Sequence, residues 1–166
     1  MSWSLITGRA GENYEQSLRV IERTTAAAGV DRLARFQPSQ LPWGHDYALF
    51  KGALTPTWEL NRHGGRWMVN FQKTEGHLLD ACWMALSKAA VGGAFRHNGA
   101  SICGLVVKVR QDVDKIGLWT VNKDDYAANQ AIGVIMKRIV GGERLIYFNA
   151  HLSKRVPGRP DYMYRM

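Results

Sequence analysis

Trp58 and Glu59 are adjacent residues that could recognise a nucleobase, and they follow closely after Pro56. The indole offers a flat π-face. The carboxylate accepts two N–H donors, which is what the Watson–Crick edge of guanine presents at N1 and N2. The pair could therefore stack on a guanine and read its edge. Taken alone, the same dipeptide also fits an interfacial Trp beside a solvated Glu, and that alternative stays open.

A second group of residues supplies positive charge. In an extended strand the side chains of Lys108 and Arg110 point to the same face. Arg110, Lys115, Arg66 and the basic loop 154–159 could together bind phosphates, because the guanidinium fork matches phosphate geometry. For any one of these residues, an ordinary charged strand face is the simpler explanation.

The elements that must position these residues alternate along the chain. Apolar residues at helical spacing predict a helix over 77–90 and another from Asp125 to about Val140, each followed by a Gly-Gly pair. Propensity predicts a further helix over 12–36. Short β-branched or aromatic runs predict strands at 47–50, 67–71, 102–109, 116–121 and 145–150. The fold class is therefore α+β with a mostly antiparallel sheet.

Composition narrows the class of protein. The chain has 166 residues and a formal charge of +8, so we expect one domain over 1–166 and an anionic partner: nucleic acid, nucleotide or membrane surface. Runs free of charged residues reach only eleven residues, which is too short for a membrane-spanning helix. Two cysteines are too few for a disulfide framework, and the N-terminus lacks signal-peptide features. We therefore expect a cytoplasmic protein, with the nucleus as a second compartment.

Several motifs converge on one family. They are DYxLFK (Asp46–Lys51), PxWE (Pro56–Glu59), GGRW (Gly64–Trp67), ICGxVVxVR (Ile102–Arg110), DKIxxW (Asp114–Trp119) and IG (Ile132-Gly133). In register from about Tyr14 to Arg159, the chain resembles the cap-binding translation initiation factor 4E family. The resemblance implies a curved antiparallel sheet with about three helices on its convex face. It implies a slot on the concave face for the 7-methylguanosine cap of mRNA. It also implies a strand over 17–23 and a helix only from about Ala26, against the propensity prediction.

The resemblance implies a role for each slot residue. Tyr14 and Trp58 are the two walls, and a guanine made cationic by N7 methylation gains stacking and cation–π attraction between them. Glu59 accepts from the guanine edge, and Trp119 packs against the N7 methyl group. The triphosphate positions are basic: Arg66, Arg110, Lys115, Lys154, Arg155 and Arg159. The ligand is 7-methyl-GTP or capped mRNA, and no metal or cofactor is expected.

Two places depart from the family pattern. Tyr14 stands where most members have Trp, which resembles the 4E-homologous protein (class II) branch and predicts cap affinity weaker by about 1 kcal/mol. Val30 and Asp31 stand where the family has a Phe-Trp pair on the convex face. In the family that Trp meets scaffold and repressor peptides bearing Tyr-x-x-x-x-Leu-hydrophobic. A charge in place of an aromatic anchor predicts that any scaffold or 4E-binding protein uses a non-standard convex-face contact.

These observations lead to one main hypothesis and one alternative. The main hypothesis is a monomeric, non-enzymatic cap-binding protein that acts in translation initiation or its repression. The alternative is a protein-interaction module that keeps the 4E fold but has weakened or lost cap binding. An enzyme is disfavoured, because the sequence shows no paired carboxylates, metal-ligand cluster or nucleophile beside a base.

Overall fold

An antiparallel sheet of eight strands organises the chain. The computed structural model describes residues 1–25, 27–152, 157–158 and 162–166, except for the side chains of residues 27 and 28. The strands lie in the spatial order β2-β1-β3-β5-β6-β4-β7-β8, and every pairing is antiparallel. In chain order they are β1 (Trp3–Arg9), β2 (Arg19–Thr24), β3 (His45–Lys51), β4 (Gly65–Gln72), β5 (Ile102–Lys108), β6 (Val113–Thr120), β7 (Ile146–Ala150) and β8 (Tyr164–Arg165).

Two long helices and several short ones accompany the sheet. The α-helices are α1 (Tyr14–Ser17), α2 (Ala27–Val30), α3 (Gly76–Val91) and α4 (Tyr126–Val140). Short 3₁₀ helices cover Asp31–Arg35, Pro38–Gln40, Lys73–Glu75 and Arg96–Ser101. The Asp125 side chain caps α4 by accepting from the backbone N–H of Ala128. None of the helices in the described part of the chain combines the length and apolar character needed to cross a bilayer.

Successive side chains of each strand point to opposite faces of the sheet, and the two long helices, α3 and α4, both cover the same face. On this helix face Trp67, Leu105 and Leu118 pack with the apolar sides of α3 and α4 into the main core. The Trp67 indole donates to the backbone carbonyl of Asn129 at 2.7 Å. Gly133 allows this approach, because a Cβ there would lie 2.4 Å from the Trp67 ring. The other face, which we call the open face, therefore remains available for a ligand.

The expected fold class is confirmed: an α+β protein with a curved antiparallel sheet. The predicted helices over 77–90 and after Asp125 are also confirmed, as α3 and α4. The third helical piece on the helix face is short, because α2 passes into a 3₁₀ helix at Asp31.

The helix that propensity predicts over 12–36 is wrong. The segment contains α1, then β2, then α2 and a 3₁₀ helix. The strand implied by the family resemblance is confirmed at Arg19–Thr24, slightly later than 17–23. The reason is tertiary: β2 pairs with β1 from Arg19 to Thr24, and these non-local backbone hydrogen bonds outweigh helix propensity.

Candidate functional site

A cavity of about 630 Å³ brings the main predicted residues together. Two chain segments line it, one over 10–16 and one over 56–59, together with Asp46, Lys108 and Arg110. The first segment contributes Tyr14, and the second contributes Trp58 and Glu59. We call this cavity the slot.

Tyr14 begins α1 and lies against the backbone of β1. A Cβ at Gly8 would stand 3.0 Å from both Tyr14 Cε2 and Leu18 Cδ2, so the absence of a side chain at Gly8 lets the ring come down onto the strand. Gly8 pairs in register with Asp46 on β3, which places that carboxylate next to the phenol. Burial, followed by the charge of Asp46, raises the pKa of Tyr14 well above its ordinary value. The phenol therefore remains neutral at physiological pH.

The buried carboxylate of Asp46 also holds Arg110. Arg110 Nη1 lies 2.6 Å from Asp46 Oδ1 and 2.9 Å from the carbonyl of Val109. Asp46 is 1% exposed, whereas the Arg110 side chain is 31% exposed. The anion of this pair is hidden and its cation faces solvent, so Arg110 can still meet an anionic ligand.

Trp58 is presented by a compact loop. The Asn61 side-chain amide donates to the carbonyls of Thr55 and Thr57 at 3.0 and 2.7 Å, which ties the loop together. Trp58 remains 42% exposed, and Glu59 is also exposed. The guanidinium of Arg66 lies 5.3 Å from the Trp58 ring centroid, so the ring already attracts a cation.

Lys108 is absent from the residues that the resemblance assigns to the site. It lies between Asp46 on β3 and Lys115 on β6, and its Nζ is 5.4 Å from the Trp58 ring centroid. Burial lowers the pKa of Lys108 to about 8; Asp46 opposes the shift, and Arg66, Arg110 and Lys115 add to it. Lys108 and Arg110 are two residues apart, and this strand spacing is the sequence signal that could have added Lys108 to the predicted site.

Arg66 and Lys115 lie on the open face but are not among the residues that line the slot. Arg66 Nε and Nη1 are buried and have no hydrogen-bond partner among the described residues. Burial also lowers the pKa of Arg66, although its guanidinium stays charged. Unpaired guanidinium donors beside the slot suit an anionic ligand group.

Trp119 lies on the open face but is covered. It is 1% exposed, packs edge-on to Phe50 at 5.4 Å, and has the His151 ring 4.1 Å away. Burial, together with the charges of Arg66 and Lys108, lowers the pKa of His151 to about 3, so the imidazole is neutral. Trp119 does not line the slot, and its predicted contact with an N7 methyl group stays a prediction.

Three basic residues of the predicted site, Lys154, Arg155 and Arg159, lie outside the described residues. Their contribution to phosphate binding stays a prediction. The described residues contain no group of three His, Cys, Asp or Glu side chains that could hold a metal ion.

The fold and the slot define a small α+β protein whose open sheet face carries a cavity suited to a flat, phosphate-bearing ligand. Two aromatic rings can stack on such a ligand, an exposed carboxylate can accept from its edge, and several cations can meet its phosphates. The chain belongs to the eukaryotic initiation factor 4E family, whose family model matches residues 2–160.

Translation initiation factors 4E from several organisms match part of the chain. Mouse eukaryotic translation initiation factor 4E type 1B is 40% identical over 118 residues, which cover 68% of this chain and 48% of the mouse protein. Caenorhabditis elegans eukaryotic translation initiation factor 4E-3 is 43% identical over 104 residues, covering 59% and 41% of the two chains. The chain spans about half the length of the curated relatives it matches.

Solved structures match nearly the whole chain. The complex of Ascaris suum eIF4E-3 with the m7G cap is 32% identical with a TM-score of 0.88, covering 99% of this chain and 94% of that one. The complex of C. elegans eIF4E-3 with the 4E-binding protein Mextli and cap analog is 32% identical with a TM-score of 0.80, covering 90% of each chain. The predicted family is therefore confirmed, whereas the branch suggested by Tyr14 stays a prediction.

Proposed function

We propose that this chain binds the 7-methylguanosine cap of mRNA and acts in translation initiation or its repression. The observation that carries the proposal is that Tyr14, Trp58 and Glu59, from segments more than forty residues apart in sequence, line one cavity. A cationic 7-methylguanine would stack between the two rings, at roughly 1–3 kcal/mol per stacked face. The solved cap complexes of eIF4E-3 support the proposal.

Glu59 supplies the specificity in this proposal. Its carboxylate is exposed and lines the slot, so it can accept from both N1–H and N2–H of the guanine. Its negative charge favours the methylated, cationic base over neutral guanine. For Trp119 we keep the role that the family resemblance implies, a contact with the N7 methyl group.

The phosphates would meet a group of cations around the slot. Lys108 and Arg110 line the slot, and Lys115 pairs in register with Lys108 on the neighbouring strand. The Arg66 guanidinium lies 5.3 Å from the Trp58 ring centroid, so it can reach a phosphate close to the base. The basic loop 154–159 completes the set that the family resemblance assigns to the triphosphate.

The proposal describes a binding protein, not an enzyme. Each slot residue stacks on the ligand, accepts from it or attracts it, and none of these roles breaks a bond. We place the protein in the cytoplasm, with the nucleus as a second compartment, because capped mRNA occurs in both.

For protein partners, we propose a 4E-binding protein that uses a non-standard contact on the helix face. Val30 is fully buried, and Asp31 forms an exposed ion pair with Lys88 on α3, with Asp31 Oδ1 2.8 Å from Lys88 Nζ. The position where the family carries its aromatic anchor therefore presents charge. A complex of the related C. elegans eIF4E-3 contains the 4E-binding protein Mextli, which supports this class of partner.

Fluorescence titration tests the cap proposal. Intrinsic Trp fluorescence should be strongly quenched by 7-methyl-GTP and little by GTP, because only the methylated base is cationic. Glu59→Ala should lower 7-methyl-GTP affinity by roughly 1.5–3 kcal/mol and remove most of the discrimination. Glu143→Gln, an exposed carboxylate that does not line the slot, is the control and should bind normally.

Two results would count against the proposal. An equal response to 7-methyl-GTP and GTP would refute recognition of the cap. No response to either ligand, with the fold intact by circular dichroism, would favour the interaction module with weakened or lost cap binding.

A further inference from the structure

A second cavity adjoins the slot. It has a volume of about 310 Å³, and its lining includes Leu41, Trp43, Lys73, Val109, Arg110 and the acidic residue Asp114. We call it the side groove. Arg110 lines both cavities: its guanidinium lies against Asp46, and its backbone carbonyl accepts from Lys73, so the side groove lies next to the slot.

Trp43 is the most prominent feature of the side groove. It is 71% exposed, and none of the ring–ring or cation–ring contacts between described residues involves it. The backbone beside it is fixed: the N–H of Gly44 donates to the carbonyl of Val109 at 2.7 Å, and the N–H of His45 donates to that of Pro42 at 3.2 Å. A rigid turn therefore holds a bare aromatic face next to the slot.

The two cations that line the side groove are more exposed than the carboxylates that pair with them. Lys73 pairs with Asp114 at 2.7 Å, and the Lys73 side chain is 43% exposed whereas that of Asp114 is only 7% exposed. The second pair, Arg110 with Asp46, has the same arrangement, with side chains 31% and 1% exposed. In both pairs the carboxylate is hidden and the cation faces solvent, so the groove attracts an anion.

We propose that the side groove binds the nucleotide that follows the cap, with its base on Trp43 and its phosphate near Lys73 and Arg110. An exposed aromatic face beside cations is the arrangement that binds single-stranded nucleic acid without reading its sequence. A peptide helix would need a continuous apolar strip, whereas the apolar Leu41, Trp43 and Val109 share this groove with two cations. The inference rests on the proposed cap function, because the cap sets where the RNA chain begins.

The test compares 7-methyl-GTP with a capped trinucleotide on the intact chain. The wild type should bind the capped trinucleotide at least fivefold more tightly, because a stacked base adds binding energy that 7-methyl-GTP lacks. Trp43→Ala should remove this advantage and leave 7-methyl-GTP affinity unchanged, while Trp43→Phe should retain most of it. Tyr126→Ala removes another exposed aromatic that lines neither cavity, and it should keep the full advantage.

The outcomes separate this inference from the cap proposal. If 7-methyl-GTP binds but the trinucleotide binds no more tightly, or if Trp43→Ala keeps the advantage, the side groove does not bind RNA and cap binding still stands. If Trp43→Ala weakens the binding of a protein partner and leaves both RNA affinities unchanged, the side groove binds that protein and not RNA. If 7-methyl-GTP itself fails to bind, both proposals fall.

Discussion

Replacing Lys108 with Met should make the protein more stable and a weaker binder of capped ligands. Lys108 is partly buried, lies beside the cation Lys115 in the sheet, and has its Nζ 5.4 Å from the Trp58 ring centroid. In the ligand-free protein, the partly buried charge of Lys108 lowers the stability of the fold. When a phosphate-bearing ligand binds, we expect the same charge to increase the affinity. Methionine keeps much of the apolar stem and removes the charge.

The stability gain follows from the pKa. Burial lowers the pKa of Lys108 from its ordinary 10.5 to about 8. That displacement corresponds to as much as about 3 kcal/mol at pH 7, where the wild type must carry the charge. Below pH 8 the lysine is charged in both the folded and the unfolded protein, so the full cost of burying the charge lowers the stability. Above pH 10.5 it is neutral in both states and this cost is absent. The wild type should therefore become more stable as the pH rises from 8 to 10.5. The Met variant lacks this gain and should unfold several degrees higher at pH 7.

The affinity loss follows from the same charge. A hydrogen bond between an ammonium group and a phosphate contributes roughly 1.5–3 kcal/mol, so Lys108→Met should weaken 7-methyl-GTP binding by about 10- to 150-fold. Binding of 7-methylguanosine without phosphates should change little. The advantage of the wild type over the variant should shrink as pH rises past about 8, because the wild-type lysine then loses its proton.

Isothermal titration calorimetry and thermal unfolding between pH 6.5 and 10 measure both effects. Lys108→Arg keeps the charge and should retain most of the affinity. Lys123→Met is the control, because it removes a lysine whose ion-pair partner, Asp124, is exposed. It should change neither the free energy of unfolding nor that of 7-methyl-GTP binding by more than about 1 kcal/mol. A Met variant that binds 7-methyl-GTP as the wild type does, or that is less stable at pH 7, would refute this role for Lys108.

Two further predictions concern the Tyr14 wall and the helix face. Gly8→Ala should push the Tyr14 ring away from β1 and lower 7-methyl-GTP affinity about fivefold by calorimetry. Gly99→Ala, where a Cβ would meet nothing within 4 Å, is the control, and unchanged affinity in Gly8→Ala would contradict the placement of the wall. Asp31→Trp should strengthen binding of a Tyr-x-x-x-x-Leu-hydrophobic peptide by about 2 kcal/mol in fluorescence polarisation. Tight binding of that peptide by the wild type would show that Asp31 does not weaken this surface.

Local patterns were enough to predict several parts of the molecule. The helix predicted over 77–90 is Gly76–Val91, and the one after Asp125 is Tyr126–Val140. Both predictions succeed because apolar spacing along a helix is a property of neighbouring residues. Trp58 and Glu59 could be found for the same reason, since they are adjacent in sequence and the loop that presents them is short.

Tyr14 shows where local reasoning fails. Helix propensity is strong over 12–36, but β2 pairs with β1 in the middle of that segment, and propensity does not register a partner more than ten residues away. The register of the family motifs was needed to place Tyr14 opposite Trp58. The space that Gly8 leaves for its ring could be seen only in the structure.

The sequence by itself therefore determined the family, the two long helices and the pair Trp58-Glu59. Each of these depends on residues that are close together in sequence or on motifs at constant spacing. Only the tertiary structure decided that Lys108 belongs to the slot, that Trp119 is covered, and that Trp43 stands bare beside Arg110. These properties depend on burial and on charges brought together by strand pairing. Solvent exposure and electrostatic neighbours exist only once distant strands have met.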